Sequence, residues 1–376
     1  MSNPAPILQE PVRRIGVLRA LMLGDMLCAL PTLRALHARW PQAELVLIGL
    51  PWAAEWASRQ AFVHRFIALP GWPGLPEQAV RTERLPQFLQ HMQHEHFDLL
   101  VQLHGSGDVV NPLVGACGAR ATAGFAEPGS YCADPPLHRP WPRQGHEILR
   151  LLALTDHLGI ARQGLHLEWP IHASDRSRLA ALVPPARPLA CLHPGARFAS
   201  RRWPARHFAA VGDRLAGEGF QVVLSGSAAE APLAAEVAGH MRHPAIDLTG
   251  RTDLWTLGAL VEAAAVVVTN DTGMSHVAVA IGTPSVVISC GSDAARWAPL
   301  DARRHPCFWH DLPCRPCMHE HCPLPRHECA QAVLPQSVAA AALAQAAWTA
   351  LPSSPSPPLP QALPHDPAAA AFIQPR

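Results

Sequence analysis

Short apolar runs alternate with longer amphipathic stretches along most of the chain. The runs are rich in Val, Ile and Leu, as is typical of buried parallel strands, whereas the longer stretches repeat apolar residues every three or four positions, as helices do. In the first half, the pattern predicts strands at 14–19, 43–49, 66–69, 97–103 and 121–125, and helices at 26–40, 85–94 and 145–158. Pro31 is expected to kink the first of these helices or to mark its true start.

The second half repeats the same alternation. Strands are predicted at 189–193, 220–227 (with its glycine loop), 245–248, 266–268 and 286–288, and helices at 205–217, 229–241, 253–264, 275–281 and 337–351. Each half begins with a strand, a glycine-containing loop and a helix, so an α/β fold with two doubly wound parallel sheets is predicted. The cleft between the two halves is the expected ligand site.

A stretch from Ala161 to Pro188 lacks clear periodicity and includes the pair Pro184-Pro185, so we place the domain linker there. The composition of the two ends, which is polar or rich in Pro and Ala, predicts disorder. The predicted organisation is a disordered segment at 1–13, a first domain at 14–183, a second domain at 184–351 with a Cys-rich segment at 307–329, and a disordered tail at 352–376.

Composition narrows the classes of protein. The chain has 376 residues, of which 49% are hydrophobic, so a large core can form. The formal net charge of +1 gives no electrostatic basis for binding nucleic acid, so no nucleic-acid partner is expected. There is no uninterrupted apolar stretch of about twenty residues and no signal-peptide pattern, which predicts a cytoplasmic protein without a transmembrane helix. All 30 basic residues are arginine.

The most informative stretch runs from Val266 to Pro284. A buried strand ends at Asn270-Asp271, Thr272-Gly273 allows a tight turn, and a short apolar helix follows from Ser275. A helix N-terminus presents unpaired N–H groups and the positive end of the helix dipole, which suits a phosphate. The alternative is that Asp271 or Thr272 merely caps this helix.

Three further loops of the second half also follow predicted strands. They contain His193-Pro194-Gly195-Ala196, Arg201-Arg202-Trp203-Pro204 and Ser225-Gly226-Ser227. Because the carboxyl ends of parallel strands meet at one edge of a sheet, these loops should lie together. Arg201 or Arg202 then supplies charge-assisted hydrogen bonds to a diphosphate, the alternative being a solvated arginine pair at a helix entry.

The first half offers polar groups for the opposite wall of the cleft. Asp25, which follows Gly24, is a candidate general base for deprotonating a hydroxyl nucleophile, or else the N-cap of the next helix. His104 and Asp108 follow another predicted strand and are candidates for acceptor contacts or plain loop residues.

Cysteines concentrate near the end of the second half. Cys314, Cys317, Cys322 and Cys329 have histidines interleaved between them. Four thiols at this spacing can hold a structural zinc, the alternatives being reduced thiols or a disulfide. Four others, Cys28, Cys117, Cys191 and Cys290, lie in apolar runs and are expected to be core thiols.

Taken in order, these segments resemble glycosyltransferase family 9, the ADP-heptose:lipopolysaccharide heptosyltransferases. The resemblance extends from Arg14 to about Ala347. It is carried by Arg19–Asp25 with Leu30–Leu36, by His193–Ala196, by Arg201–Pro204, by Leu248–Thr252 and by Asn270–His276 with Ala280–Pro284. It implies a GT-B fold, in which two Rossmann-like domains face a central cleft. It also implies inverting, metal-independent transfer of a sugar from a nucleotide diphosphate donor to a glycan or glycolipid acceptor, with peripheral contact at the inner face of the membrane.

Roles for single residues follow from the resemblance. Asp25 corresponds to the general base. Gly24 and His104 are placed on the acceptor side by their positions after strands of the first half, because the family's acceptor-side basic residues do not map clearly onto this half. Arg201 stands where the family usually has a phosphate-binding Lys, and Leu21 stands where it often has Ser. The remaining donor-side residues are His193, Gly195, Asp271 as a ligand of sugar hydroxyls, Thr272, Gly273 and Ser275 as the phosphate cradle, and His276 beside the diphosphate. No cofactor is implied for catalysis.

Two rival functions stay open from the sequence. An epimerase acting on a nucleotide sugar would have the same fold, but it needs further acid/base carboxylates facing the sugar. A non-catalytic sugar-nucleotide-binding or scaffold protein would have no use for Asp25.

Overall fold

The computed structural model describes residues 11–184 and 186–349. The predicted disordered tail at 352–376 lies outside these residues, as does the predicted N-terminal segment apart from residues 11–13. In the first half the elements are β1 (Arg14–Leu18), α1 (Leu23–Arg39), β2 (Glu44–Gly49), α2 (Ala53–Ala57), β3 (Arg65–Ala68), α3 (Leu85–His94), β4 (Leu99–Gln102), α4 (Asn111–Ala116), β5 (Thr122–Phe125), β6 (His138–Arg139), α5 (Glu147–His157) and α6 (Ala173–Leu182).

The second half follows with a similar alternation. Its elements are β7 (Leu189–His193), α7 (Ala205–Gly217), β8 (Gln221–Leu224), α8 (Ala231–His240), β9 (Ile246–Asp247), α9 (Leu254–Ala263), β10 (Ala264–Asn270), α10 (Gly273–Ile281), β11 (Ser285–Ile288), α11 (Ala294–Trp297), β12 (Cys307–Phe308), α12 (Glu328–Gln331) and α13 (Pro335–Thr349).

Each half forms one six-stranded sheet in which all the strand pairings are parallel. The strand order is β3-β2-β1-β4-β5-β6 in the first sheet and β12-β11-β10-β7-β8-β9 in the second. Both are the doubly wound order, which confirms the predicted architecture. In such sheets ligands bind where the strand order reverses, at the carboxyl ends of the strands. These points lie between β1 and β4 and between β7 and β10.

The apolar core is continuous between the two sheets. Side chains alternate across each strand, so both faces of each sheet are covered. One apolar cluster includes Val17 and Leu47 from the first sheet and Cys191, Val223 and Val267 from the second. Helix α1 packs against α10 of the second half as well as against α5 of its own half. The two halves are therefore joined through helices that begin at the strand-order reversals.

Helix α1 starts earlier than expected, and a further helix lies in the stretch where we placed the linker. Helix α1 begins at Leu23, eight positions before Pro31, and runs through this proline. Asp25 consequently lies in the first turn of the helix, neither in the loop where it was expected nor at the N-cap, which is Met22. The stretch expected to be linker contains α6, which packs against α9 and is tied to it by an ion pair between Arg176 and Glu262 at 2.6 Å. The domain boundary itself stays a prediction.

Candidate active site between the two halves

The starts of α1 and α10 meet face to face. A Cβ atom at Gly24 would lie 2.8 Å from Cδ2 of His276 and 3.4 Å from Cα of Gly273. Glycine therefore allows the two backbones to approach more closely than any other residue would. The contact brings a helix start from each half to one place, with Asp25 directly after Gly24.

Asp25 is held beside a buried arginine. Its side chain is 25% exposed, and Oδ1 lies 3.8 Å from Nη2 of Arg19, whose side chain is 1% exposed. Arg19 also donates from Nε to the backbone oxygen of Asp25 at 2.7 Å. Burial raises the pKa of Asp25 above its usual 3.8, and the positive charge of Arg19 only partly offsets this. The result is a carboxylate that is more basic than an ordinary aspartate and reaches the junction of the halves.

A buried carboxylate, Glu147 at the start of α5, anchors Arg19 from the other side. Oε1 of Glu147 lies 3.4 Å from Nη2 of Arg19, and Oε2 lies 3.2 Å from Nη1 of Arg150. Oε2 also accepts from Nε of Arg296 in the second half at 2.9 Å. Burial alone would raise the pKa of Glu147, but Arg19 and Arg296 outweigh it and lower the pKa. The sequence analysis missed Arg19, Glu147 and Arg296, because their pairing depends on packing between distant segments.

Asp271 lies directly after β10, at the strand-order reversal of the second sheet. It is buried, and its Oδ2 accepts a hydrogen bond of 2.5 Å from Oγ of Ser292. Burial raises the pKa of Asp271 to about 6, against the lowering effects of Ser292, Arg201 and Arg315. The Nε atom of Arg201 is buried and has no hydrogen-bond partner among the described residues. Arg201 thus brings an unsatisfied donor to the neighbourhood of a buried carboxylate.

Helix α10 starts immediately after Asp271. Oγ1 of Thr272 accepts from the backbone N–H of Met274 at 3.3 Å, so Thr272 is the N-cap, and Oγ of Ser275 donates to the Thr272 backbone oxygen at 2.8 Å. His276 is buried, with Nδ1 3.8 Å from Sγ of Cys28 on α1. Burial lowers the pKa of His276 to about 4, so its ring is neutral at pH 7. Thr272 thus caps α10, and the same helix N-terminus is the predicted phosphate site.

Asn270 holds two of the predicted loops together. Its Nδ2 donates to the backbone oxygens of Pro194 and Gly195 at 2.7 and 3.2 Å, and its Oδ1 accepts from the N–H of Trp203 at 3.0 Å. The loops that contain Gly195 and Arg201 therefore lie beside the end of β10, as expected for one edge of the sheet.

His193 ends β7 at the same edge. Its Nδ1 lies 3.1 Å from Oγ of Ser225, and burial lowers its pKa. A Cβ atom at Gly195 would lie 1.9 Å from Oε1 of Glu230, so the glycine makes room for this carboxylate. Glu230 accepts from both the N–H and the Oγ of Ser227. His193 and Gly195 are thus close to the Ser225–Ser227 loop, and Glu230 joins them without having been predicted.

On the first sheet, His104 follows β4 and reaches the loop after β1. Its Nδ1 accepts from the N–H of Ala20 at 3.3 Å, and its Nε2 lies 4.0 Å from Oε2 of Glu77. Burial lowers the pKa of His104 to about 4, so it is neutral at pH 7. Asp108 accepts hydrogen bonds from the hydroxyls of Ser106 and Ser130 instead.

The Cys-rich segment contacts two loops of the second half, at Ser200 and at Gly291. Cys314, Cys317, Cys322 and Cys329 line one small cavity of about 70 Å³, and all four are free thiols. Within residues 11–184 and 186–349, no group of three or more His, Cys, Asp or Glu side chains is arranged to hold a metal ion. The structural zinc therefore stays a prediction. None of the helices in this part of the chain combines the length and the hydrophobicity that a bilayer-spanning segment requires.

Comparison with known proteins gives a consistent set of relatives. Residues 86–327, more than half of the chain, match the model of "Glycosyltransferase family 9 (heptosyltransferase)". Lipopolysaccharide heptosyltransferase 2 from Salmonella typhimurium is 28% identical over 291 residues, and the one from Escherichia coli K12 is 28% identical over 290 residues. Each alignment covers 73% of this chain and 82% of the relative.

Among solved structures, E. coli ADP-heptose lipopolysaccharide heptosyltransferase II superimposes with a TM-score of 0.73 at 21% sequence identity. The match covers 90% of this chain and all of that one. The glycosyltransferase family 9 protein from Veillonella parvula gives a TM-score of 0.67 at 20% identity, covering 79% of this chain and 85% of that one. These likenesses confirm the predicted GT-B fold.

Proposed function

This chain belongs to glycosyltransferase family 9, and we propose that it moves a heptose from ADP-heptose to a hydroxyl of a lipopolysaccharide core glycan, with inversion and without a metal ion. It is a glycosyltransferase with lipopolysaccharide heptosyltransferases among its relatives. The observation that supports the proposal best is the contact between Gly24 and His276, because it sets Asp25 of one half against the start of α10 in the other.

Asp25 is the general base in this proposal. The acceptor hydroxyl attacks the anomeric carbon, a new C–O bond forms, and the bond from that carbon to the diphosphate oxygen breaks. The hydroxyl proton passes to Asp25, and the diphosphate leaves with the bonding pair. A single displacement from the opposite face inverts the anomeric carbon. Burial makes Asp25 a better proton acceptor than an exposed aspartate, and Arg19 fixes its position.

Negative charge develops on the leaving diphosphate, and groups of the second half stabilise this charge. Arg201 has a buried Nε without a partner, and the start of α10, with Thr272, Gly273 and Ser275, adds the positive end of a helix dipole. His276 is neutral and offers a ring N–H rather than a charge. Asp271 accepts hydrogen bonds from sugar hydroxyls, and His193 and Gly195 lie along the nucleotide.

The acceptor approaches from the first half, past Gly24 and His104. A lipid-linked acceptor calls for contact with the membrane surface, and this contact and a cytoplasmic location both stay predictions. The rival scaffold and epimerase functions gain no specific support from the described residues.

Ligand-dependent melting tests the donor first. Wild-type protein is melted with ADP, UDP, GDP or CMP, and only ADP should stabilise it, because a ligand that binds the folded state alone raises its stability. Arg201→Ala should weaken ADP binding about tenfold or more, since a hydrogen bond to a charged group contributes about 1.5–3 kcal/mol. Arg214→Ala, which removes an exposed arginine paired with Glu218 on α7, is the matched control. Stabilisation by UDP or GDP instead of ADP would rule out ADP-heptose as the donor.

A transfer assay then tests the reaction. ADP-heptose and truncated lipopolysaccharide cores are incubated with the protein, and the anomeric configuration of the product is read by NMR. Transfer in the presence of EDTA is expected. Binding of donor without transfer to any core would favour the scaffold function.

A further inference from the structure

Arg315, in the Cys-rich segment, is bound to a loop of the donor half. Its Nη2 donates to the backbone oxygen of Ser292 at 2.9 Å and to Oγ of Ser289 at 3.1 Å. Its Nη1 donates to the backbone oxygen of His310 at 2.7 Å. The guanidinium thus spans the two ends of the 289–292 loop, which follows β11.

The same loop holds Asp271. Oγ of Ser292 donates to Oδ2 of Asp271 at 2.5 Å, and it also lies 3.0 Å from Oγ of Ser289. Arg315 is therefore linked to Asp271 through the hydroxyls of Ser289 and Ser292, and its second bond to this loop fixes the backbone of Ser292.

The loop depends on its neighbours for its shape. Residues 289–292 have no regular secondary structure and include Gly291. The N–H of Cys317 donates to the Gly291 oxygen at 2.8 Å, and Sγ of Cys317 occupies the space where a Gly291 Cβ would lie, at 2.8 Å. One short stretch, Arg315 to Cys317, thus contacts three of the four loop residues.

The Cys-rich segment also reaches the residue before Arg201. The N–H of Ser200 donates to the Glu320 oxygen at 3.1 Å, its Oγ donates to the His319 oxygen, and Nε2 of His327 lies 2.8 Å from the Ser200 oxygen. One segment therefore contacts the surroundings of both Asp271 and Arg201. The two side chains interact, because the charge of Arg201 lowers the pKa of Asp271.

We propose that Arg315 is a positioning residue for the donor site: it fixes the 289–292 loop so that Ser292 holds the Asp271 carboxylate toward the donor sugar. This inference rests on the proposed role of Asp271 as a ligand of sugar hydroxyls. Arginine suits the task because one arm of its planar fork, Nη2, bonds the 289–292 loop while the other, Nη1, is held by the backbone oxygen of His310, an arrangement that a lysine cannot reproduce.

The test is a double-mutant cycle of Arg315→Ala and Ser292→Ala, with kcat and KM for ADP-heptose measured separately. Each single variant should lower kcat/KM at least tenfold. The double variant should be no worse than the poorer single one by more than about twofold, because both act through one contact to Asp271. Arg315→Lys, which keeps the charge but not the fork, should recover only part of the loss.

The control is Arg326→Ala, an exposed arginine of the same segment, which should match the wild type. If Arg315→Ala does not fold, Ser292→Ala and Arg315→Lys complete the comparison. Wild-type kcat/KM in Arg315→Ala, or losses that multiply in the double variant, would overturn the inference.

A crystal structure of Arg315→Ala separates this inference from the proposed function. A displaced Ser292 that no longer contacts Asp271 supports the positioning role even if the donor is not ADP-heptose. An unchanged 289–292 loop overturns it. A wild-type protein that neither binds ADP nor transfers heptose counts against the proposed function alone.

Discussion

The carboxylate of Glu147 accepts a hydrogen bond from Nε of Arg296 at 2.9 Å, and this ion pair joins the first half of the chain to the second. The Glu147 side chain is only 2% exposed, whereas that of Arg296 is 34% exposed. Glu147 also contacts Arg19, which holds Asp25. The closure of the two halves is thus linked to the position of the proposed base.

Glu147→Gln should destabilise the protein strongly. Removing one partner of a buried ion pair leaves uncompensated charge and costs about 3–5 kcal/mol, whereas an exposed pair contributes about 0–1 kcal/mol. Glu262→Gln, which breaks the exposed pair with Arg176, is the control. Urea unfolding at pH 7 measures both, and equal losses would contradict the structural role of Glu147. Because the charge of Glu147 raises the pKa of Asp25, the acid limb of the pH–rate profile should also move to lower pH.

Asp25→Asn should lose transfer activity but still bind the donor. A general base contributes about 10²–10⁴-fold to the rate, and the substitution preserves the size of the side chain. In the wild type, kcat/KM should fall as pH drops through the raised pKa of Asp25, since only the carboxylate accepts a proton. Steady-state rates and ADP melting curves for both proteins provide the measurement. A variant that transfers heptose at the wild-type rate would show that another group is the base.

The sequence predicted the fold because strands and helices of these lengths carry strong periodic signals. It did not predict α6, whose only buried residues are Asp175 and Leu179, so no apolar stripe marks it. It placed the start of α1 at Met26 or Pro31 rather than at Leu23, because Leu23, Gly24 and Asp25 carry no periodic apolar signal, and the helix tolerates Pro31 in its interior while packing against α5 and α10.

The candidate site also contains residues that the sequence predicts and residues that it does not. Asp271 and His276 lie at the end of β10 and the start of α10, Asp25 lies in the first turn of α1, and Arg201 lies in the connection between β7 and α7. All four belong to connections at the carboxyl edges of the sheets, which the order of strands along the chain predicts. Glu147 and Arg296 are 149 positions apart, and Arg315 is linked to Asp271 through hydrogen bonds of Ser289 and Ser292. Such pairings arise from tertiary packing, which the pattern of a single sequence does not contain.

Donor affinity should depend on pH with a midpoint near 6. The pKa of Asp271 is raised to about 6, so about one molecule in ten has the carboxylate at pH 5. If the carboxylate binds sugar hydroxyls, affinity for ADP-heptose should rise about tenfold between pH 5 and pH 7.5 and then level off. His276 and His104, with pKa values of about 4, stay neutral throughout this range. Calorimetry tests this, and Asp271→Asn should bind weakly with little dependence on pH. A wild-type affinity that is flat from pH 5 to 7.5 would contradict the role of Asp271.

Gly24→Ala should crowd the junction of the two helix starts. The added Cβ would lie 2.8 Å from Cδ2 of His276, closer than real Cβ contacts come, so the His276 ring or one of the two helices must shift. Overpacking of this kind costs about 1–3 kcal/mol, and a misplacement of about 1 Å can lower a rate about 10²-fold. We therefore expect kcat to fall at least tenfold.

The matched control for this substitution is Gly217→Ala at the end of α7, where a Cβ would meet nothing within 4 Å. Because alanine favours a helix by up to about 1 kcal/mol over glycine, this variant should be as stable as the wild type or slightly more so, with unchanged kcat. Thermal melting and steady-state rates distinguish the two variants. If Gly24→Ala keeps the wild-type kcat, the close approach of α1 and α10 does not set the geometry of transfer. If instead its kcat falls while ADP still stabilises it, the donor half is intact and the lost rate belongs to the position of Asp25.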